Sequence, residues 1–134
     1  MELAVANKER CSPGEQLLID MRMTFPVNDA AKRFALTRKL VNTHPGSARA
    51  LLILADQIIQ RRDVTKARDL MRQALEIDPD FVPAHNALSV SYMTDQTQNL
   101  TLAADHARQM VKHRPDEPIG HIALGDIYRA ENKL

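Results

Sequence analysis

Histidine side chains are the groups in this chain whose type and spacing are most suggestive of chemistry. His85 and His121 lie 36 residues apart. A zinc site needs three or four ligands at close spacing, and no cysteines or clustered acids accompany this pair. We therefore expect both rings to pack between helices instead of binding a metal. His106 and His113 lie seven residues apart, two helical turns or about 10 Å, so we expect them at separate surface positions.

The sequence carries no motif typical of an enzyme. Cys11 is the single cysteine, and it lies in a stretch without a patterned base, so we expect an unreactive thiol. There is no glycine-rich phosphate loop, no nucleophile elbow and no pair of carboxylates framed by turns. The sequence therefore predicts a protein without catalytic residues, cofactor or metal.

Composition predicts one all-α domain. The 134 residues include only four Gly and no Trp, and they are rich in Ala, Leu, Arg, Gln and Met, which favour helix. No apolar run approaches the roughly 20 residues that span a bilayer, and the start of the chain does not resemble a secretory signal. We expect no membrane insertion and a cytoplasmic location.

Charge is unevenly distributed along the chain, although the formal net charge is only +1. Residues 31–72 carry ten Lys or Arg against three acids, whereas 73–134 carry five against nine. Phe34 is the single aromatic residue among the basic ones of 31–72, which is too few for base stacking, so we expect no nucleic-acid binding. An anionic ligand on the basic region is an alternative, and its binding would fall steeply with salt.

An internal repeat positions all of these residues. The stretches from Lys66 to Pro79 and from Leu102 to Pro115 place Ala or Met at three shared offsets before a terminal proline. Pro45 precedes Pro79 by 34 residues, and Pro115 follows it by 36. A period of this length is typical of arrays of helix hairpins.

Apolar periodicity and helix-start signals divide the chain into about seven helices. Residues 1–11 are expected to be a disordered or extended lead-in, and the first helix is expected at 12–25. Ser47 and Thr65 are expected to cap the two helices of the best-defined unit. The predicted domain, 12–134, comprises a degenerate hairpin at 12–45, repeats at 46–79 and 80–115, and a half repeat at 116–134.

These units resemble tetratricopeptide repeats. In that family the first helix of a unit carries a large residue, a Leu-Gly-like pair and an aromatic; the second carries Ala, a bulky apolar residue, Ala and a terminal Pro. The first full unit reads Leu51, Leu54, Ala55, Ile58, Ala67, Met71, Ala74 and Pro79. The second reads His85, Leu88, Ser89, Tyr92, Ala103, Ala107, Met110 and Pro115, and the half unit reads His121, Leu124, Gly125 and Tyr128.

The resemblance covers about 48–134 well and 12–45 in spacing alone. Arg33 and Thr37 stand where Ala and a bulky apolar residue are expected. The fold that the resemblance implies is an α–α superhelix of antiparallel helix hairpins. Small residues such as Gly125 would let neighbouring helices approach to about 8–10 Å.

The resemblance also implies a concave groove lined by the first helix of every unit. The residues that it places there are Arg49, Leu52, Asp56, Ile59, Gln60, Pro83, Asn86, Val90, Met93, Thr94, Ile119, Ile122, Asp126 and Arg129. Leu52, Ile59, Val90 and Ile122 are either ordinary core residues or an exposed apolar patch, and the sequence leaves both open. Such a patch would suit an apolar helix or extended peptide.

Two ligand classes of the family are disfavoured. Members that bind chaperone tails hold a C-terminal carboxylate with Lys and Asn from successive first helices, but here Leu52, Asp56 and Val90 stand where that clamp would need them. Sugar-transferring relatives carry a ladder of groove asparagines, whereas Asn86 stands alone here.

The resemblance therefore implies a non-enzymatic interaction scaffold or adaptor that binds a peptide or helix of another protein. An alternative is the non-catalytic N-terminal region of a larger enzyme, such as a transferase, because the chain ends within a unit at Leu134. The apolar residues of the last predicted helix would be covered either by a further helix, which we favour, or by a second copy in a homodimer.

Overall fold

The computed structural model describes residues 29–96 and 98–133, which form six α-helices and no strand. The helices are α1 (Ala30–Thr43), α2 (Ala48–Gln60), α3 (Val64–Ile77), α4 (Val82–Thr94), α5 (Leu100–His113) and α6 (Pro118–Glu131). The all-α prediction is confirmed. The lead-in expected at 1–11, which includes Cys11, and the helix expected at 12–25 lie outside the described residues.

Most helices start on a side chain that replaces the missing intrahelical bonds of the first turn. Four residues accept a hydrogen bond from the backbone N–H three positions later, at 3.0–3.2 Å: Asp29, Ser47, Asp63 and Asn99. The Ser47 prediction is confirmed. The Thr65 prediction is wrong, because the left-handed backbone of Arg62 (φ 66°) closes the turn early enough for Asp63 to cap α3.

Consecutive helices pack as hairpins, α2 against α3 and α4 against α5, and α6 packs on α5. The side chains at these contacts are small or flexible. Six of them have no measurable exposure: Ala67, Met71, Ala74, Ala103, Ala107 and Met110. These are the residues of the internal repeat, and their burial confirms that the repeated pattern marks helix contacts. The boundaries of the repeats at 46–79 and 80–115 stay a prediction.

A polar contact takes the place of an apolar one between α1 and α2. Thr37 is fully buried, and its hydroxyl donates to the Arg33 carbonyl at 2.9 Å and accepts from Gln57 Nε2 at 2.8 Å. Burial of the hydroxyl is tolerated because it is hydrogen-bonded in both directions. This contact explains how α1 packs against α2 although Thr37 departs from the family pattern.

Gly120 sets the approach of α6 to α5. A Cβ added there would lie 2.8 Å from Val111 Cγ2 and 2.9 Å from the Val111 backbone nitrogen, closer than packed atoms can be. At Gly125, by contrast, an added Cβ would meet no described atom within 4 Å. The expectation that Gly125 permits close packing stays a prediction, because no helix follows α6 within the described residues.

The two glycines form a matched pair for a stability test. Gly120→Ala should lower the free energy of unfolding by about 1–3 kcal/mol, since α5 and α6 must separate. Gly125→Ala should raise it by about 0.5–1 kcal/mol, because it removes only the entropic cost of a helical glycine. Urea unfolding followed by far-UV circular dichroism measures both. Equal midpoints for the two variants would contradict the close contact at Gly120.

Candidate functional site

A cleft of about 920 Å³ lies between α2, α4 and the start of α6. Its apolar lining includes Leu52 and Ile59 from α2, Val82 and Val90 from α4, and Ile119 from α6. Leu52 and Ile59 are partly buried and also contact the core, whereas Val90 is 44% and Ile119 39% exposed. The cleft therefore combines side chains anchored in the core with side chains free to contact a ligand.

Most of the predicted groove residues line one or more of three neighbouring hollows. Eight of them line the main cleft: Leu52, Asp56, Ile59, Pro83, Asn86, Val90, Thr94 and Ile119. Met93, Ile122 and Asp126 line an adjoining hollow of about 120 Å³, which shares Asn86, Val90 and Ile119 with the cleft.

Three predicted residues lie at the margins. Arg129 lines a separate hollow of about 600 Å³, together with Met93 and Asp126, and donates a hydrogen bond to the Asp126 carboxylate. Arg49 and Gln60 are exposed on α2 and line none of these three hollows in the described part of the chain. Whether any of the predicted residues binds a partner stays a prediction.

Turn residues complete the cleft walls, and the sequence reasoning missed them. They are Arg62, Asp95, Gln96, Arg114 and Glu117. The repeat pattern predicts groove positions on first helices only, and the turns of this chain differ in length and composition. Sequence adjacency is the signal that points to two of them: Asp95 directly follows Thr94, and Arg62 lies two residues after Gln60.

Charges in the cleft are mostly paired. Arg114 and Glu117 form an ion pair at 2.8 Å, and Asp95 pairs with Arg68 at 3.0 Å. Asp56 forms no hydrogen bond or ion pair with another described residue, and desolvation by its surroundings raises the pKa of its carboxyl. The cleft thus contains a carboxylate that its own walls do not neutralise.

Arg68 fixes one end of the cleft by joining α3 to the end of α4. Its guanidinium donates to Ser91 Oγ at 2.8 Å and to the Ser91 carbonyl at 2.7 Å, and it lies 4.3 Å from the centroid of the Tyr92 ring. With the ion pair to Asp95, these contacts occupy a side chain that is only 14% exposed. Because Ser91 and Asp95 line the cleft and Arg68 does not, Arg68 holds this cleft wall in place without lining the cleft itself.

His85 packs between α4 and α5, as predicted, with 6% exposure. Its Nε2 lies 2.9 Å from the Pro79 carbonyl oxygen. Since a carbonyl only accepts, Nε2 carries the proton, and Nδ1 accepts from His106 Nδ1 at 3.0 Å. His121 repeats the bond with Pro115 at 3.1 Å but is exposed. No helix follows α6 within the described residues, so packing of that ring inside a hairpin stays a prediction.

His106 and His113 are not the separate surface residues that their spacing suggested. Both are partly buried, because α4 brings His85 between them: the His85 ring centroid lies 5.3 Å from His106 and 6.0 Å from His113. His106 also stacks on Tyr92 at 6.0 Å, and His113 Nδ1 lies 3.3 Å from an Asp80 carboxylate oxygen. Spacing within one helix cannot reveal a contact that a second helix creates.

Two further findings concern the described residues as a set. Among residues 29–96 and 98–133, no three His, Cys, Asp or Glu side chains are grouped so as to hold a metal ion. None of the helices described is long and apolar enough to cross a membrane.

Ile122 and Tyr128 on α6 are 59% and 45% exposed, and pairing of two copies through this helix stays a prediction.

Comparisons with known proteins establish the class of fold. No family model and no curated protein matches the sequence. Similar solved structures include one described as the first TPR of Spaghetti (RPAP3) bound to the HSP90 peptide SRMEEVD, with a TM-score of 0.75 and 13% identity over 89% of this chain and 93% of that one. The Sgt2 TPR domain from Aspergillus fumigatus has a TM-score of 0.75 and 14% identity over 91% of this chain and 82% of that one.

Both similar structures are tetratricopeptide repeat (TPR) domains. The stack of helix hairpins described above is therefore a TPR fold, as the sequence resemblance predicted. Identities of 13% and 14% establish the fold, and function must be argued from the cleft itself.

Replacing Arg68 tests its role in holding the cleft wall. Arg68→Met should lower the free energy of unfolding by about 2–4 kcal/mol, because Ser91 loses its donor and Asp95 its ion pair with a side chain that is only 14% exposed. Arg114→Met is the control: it breaks an exposed ion pair and should change stability by about 0.5 kcal/mol or less. Urea denaturation measures both, and similar losses would show that Arg68 is not a special contact.

The histidine cluster predicts a loss of stability in acid. Desolvation by burial, reinforced by repulsion from His85 when that ring is protonated and from Arg72, and opposed by Asp105, lowers the pKa of His106 from 6.5 to about 4. Between these two values the unfolded chain binds a proton that the folded chain does not, so stability is complete above about pH 6.5 and falls as pH drops toward 4. We expect a loss of about 1–2 kcal/mol, since the ring is only partly buried.

Urea unfolding between pH 7 and pH 4 should show this slope in the wild type and a smaller one in His106→Gln. His121→Gln, which alters an exposed ring, should keep the wild-type slope. If His106→Gln leaves the pH dependence unchanged, the cluster does not resist protonation.

Proposed function

We propose that this chain is a protein-interaction module whose main cleft binds a peptide or helix of another protein. The observation that carries the proposal is the cleft between α2, α4 and α6, with Val90 and Ile119 exposed beside the core-anchored Leu52 and Ile59. Apolar surface held open inside a concave site gains free energy when a ligand covers it. The proposal gives the chain no catalytic role.

The similarity to TPR domains supports the proposal. One of the similar structures is described as bound to a peptide of HSP90, so this fold can present a peptide-binding surface. That peptide, SRMEEVD, has an acidic C-terminal half. The cleft here offers Asp56 and apolar side chains, so we do not extend that ligand to this chain.

The size of the cleft suits a short segment. A volume of about 920 Å³ lies within the range of sites that enclose a few side chains. Binding through such a site would depend on a small number of anchoring apolar residues, as in other peptide-in-groove recognition.

A charge placed in the cleft should weaken peptide binding strongly while leaving the fold intact. A random dodecapeptide phage library is panned on the wild-type protein, and the enriched peptides are synthesised and measured by fluorescence anisotropy. Val90→Glu should weaken their binding at least about tenfold, because an apolar contact would bury an unpaired carboxylate.

The matched control is Ile77→Glu on α3. Ile77 is 43% exposed, against 44% for Val90, but lies outside the three hollows. Its substitution should leave affinity unchanged, and circular dichroism should show equal helicity for both variants. Equal binding by Val90→Glu and wild type, or no enrichment of any peptide on the wild type, would overturn the assignment of the cleft.

A further inference from the structure

The ligand chemistry of the cleft follows from its unpaired charge. Asp95 and Glu117 each have an ion-pair partner, Arg68 and Arg114 respectively. Asp56 has no hydrogen-bonding or ion-pair partner among the described residues, although Arg62 in the adjoining turn also lines the cleft. Arg62 likewise has no ion-pair partner among the described residues, but it lies in the turn after α2, whereas Asp56 lies on α2 between Leu52 and Ile59. The unpaired charge among the apolar side chains of the cleft is therefore negative.

The position of Asp56 makes this charge matter for binding. On α2 it lies one turn after Leu52 and one turn before Ile59, about 4–6 Å along the axis from each. All three side chains line the same cavity. A segment that contacts Leu52 and Ile59 must therefore cover the carboxylate between them and remove its water.

Covering a carboxylate without a partner opposes binding. An ionised group transferred from water to an apolar site needs a compensating charge or hydrogen bonds. Although Asp56 is exposed, its neighbours desolvate the carboxyl in part and raise its pKa. An apolar segment completes the desolvation, and a cation on that segment removes the penalty.

We propose that the cleft recognises a peptide segment that presents one Lys or Arg to Asp56, with large apolar residues on both sides of this cation. This inference rests on the proposed function and specifies its ligand. A segment with an acidic residue at the same place is rejected, because it would set two carboxylates against each other in a desolvated site.

Parallel selection tests the charge preference directly. The random dodecapeptide library is panned on wild type and on Asp56→Asn. Peptides enriched on the wild type should carry a Lys or Arg between apolar residues, whereas those enriched on Asp56→Asn should keep the apolar residues and lose the cation. Asp56 has no partner to lose, so the variant should fold normally, as circular dichroism would verify.

A double-mutant cycle then measures the contact. In the strongest wild-type peptide, replacing the cation by Gln should weaken binding to the wild type about tenfold and replacing it by Glu should weaken it further. Binding to Asp56→Asn should change little with either replacement. Asp69→Asn on α3 is the control, because Asp69 already pairs with Arg72 and lines none of the three hollows, and it should retain the full preference.

The outcomes distinguish a failure of the charge preference at Asp56 from a failure of the proposed peptide binding. Wild-type peptides that are apolar but not enriched in cations, or a cation effect that persists in Asp56→Asn, would overturn this inference while the cleft remains a peptide site. Failure to enrich any peptide on the wild type would overturn both.

Discussion

Close contact between helices through very small side chains is the constraint on which the rest of this structure depends. Ala55 on α2 and Ala67 on α3 belong to one core cluster, and both are completely buried. Side chains this small allow the helices to approach closely, so a larger one would force the helices of a hairpin apart. Hairpins held this closely stack with their first helices side by side. The cleft is the space that this stacking leaves between α2, α4 and α6.

Polar contacts between units then fix how the hairpins are stacked. Apolar packing of Ala and Met tolerates small shifts, since such contacts are not directional. The hydrogen bonds of Arg68 and His85, by contrast, are directional. Arg68 on α3 bonds to Ser91 and Asp95 at the end of α4. His85 joins α4 to α5 through its bond with His106. A buried ion pair as a whole adds little net stability compared with well-packed apolar residues of the same size, but it disfavours every arrangement in which one partner is missing. These contacts explain how a cleft with largely apolar walls keeps a defined shape.

The fold was predictable because its main signal is periodic. Ala67, Met71 and Ala74 recur as Ala103, Ala107 and Met110, and proline ends each unit, so helix identity and buried face follow from spacing within the chain. Gly120 was missed because its importance arises only where α6 crosses Val111.

The cleft was predictable only in part, and for the same reason. Residues in the middle of first helices, such as Asp56 and Val90, lie where the repeat register places them. Arg49 and Gln60 stand near the ends of α2 and line none of the three hollows. Arg62 and Glu117 enter it from turns, where no repeat pattern applies. The pairing of His85 with His106 was equally hidden, because it joins residues on two helices whose relative rotation the spacing does not give.

A single carboxylate can determine the specificity of such a site although it supplies little of the affinity. Leu52, Ile59 and Val90 would contribute similar free energy to any large apolar side chain, since one methylene more or less changes apolar binding only modestly. Asp56 acts differently, because its effect is a penalty imposed on segments that cover it without a cation. That penalty grows as the apolar contact improves and water is excluded more completely. Affinity and selectivity are therefore coupled in this cleft: the better a segment fills the apolar walls, the more its charge opposite Asp56 decides whether it binds.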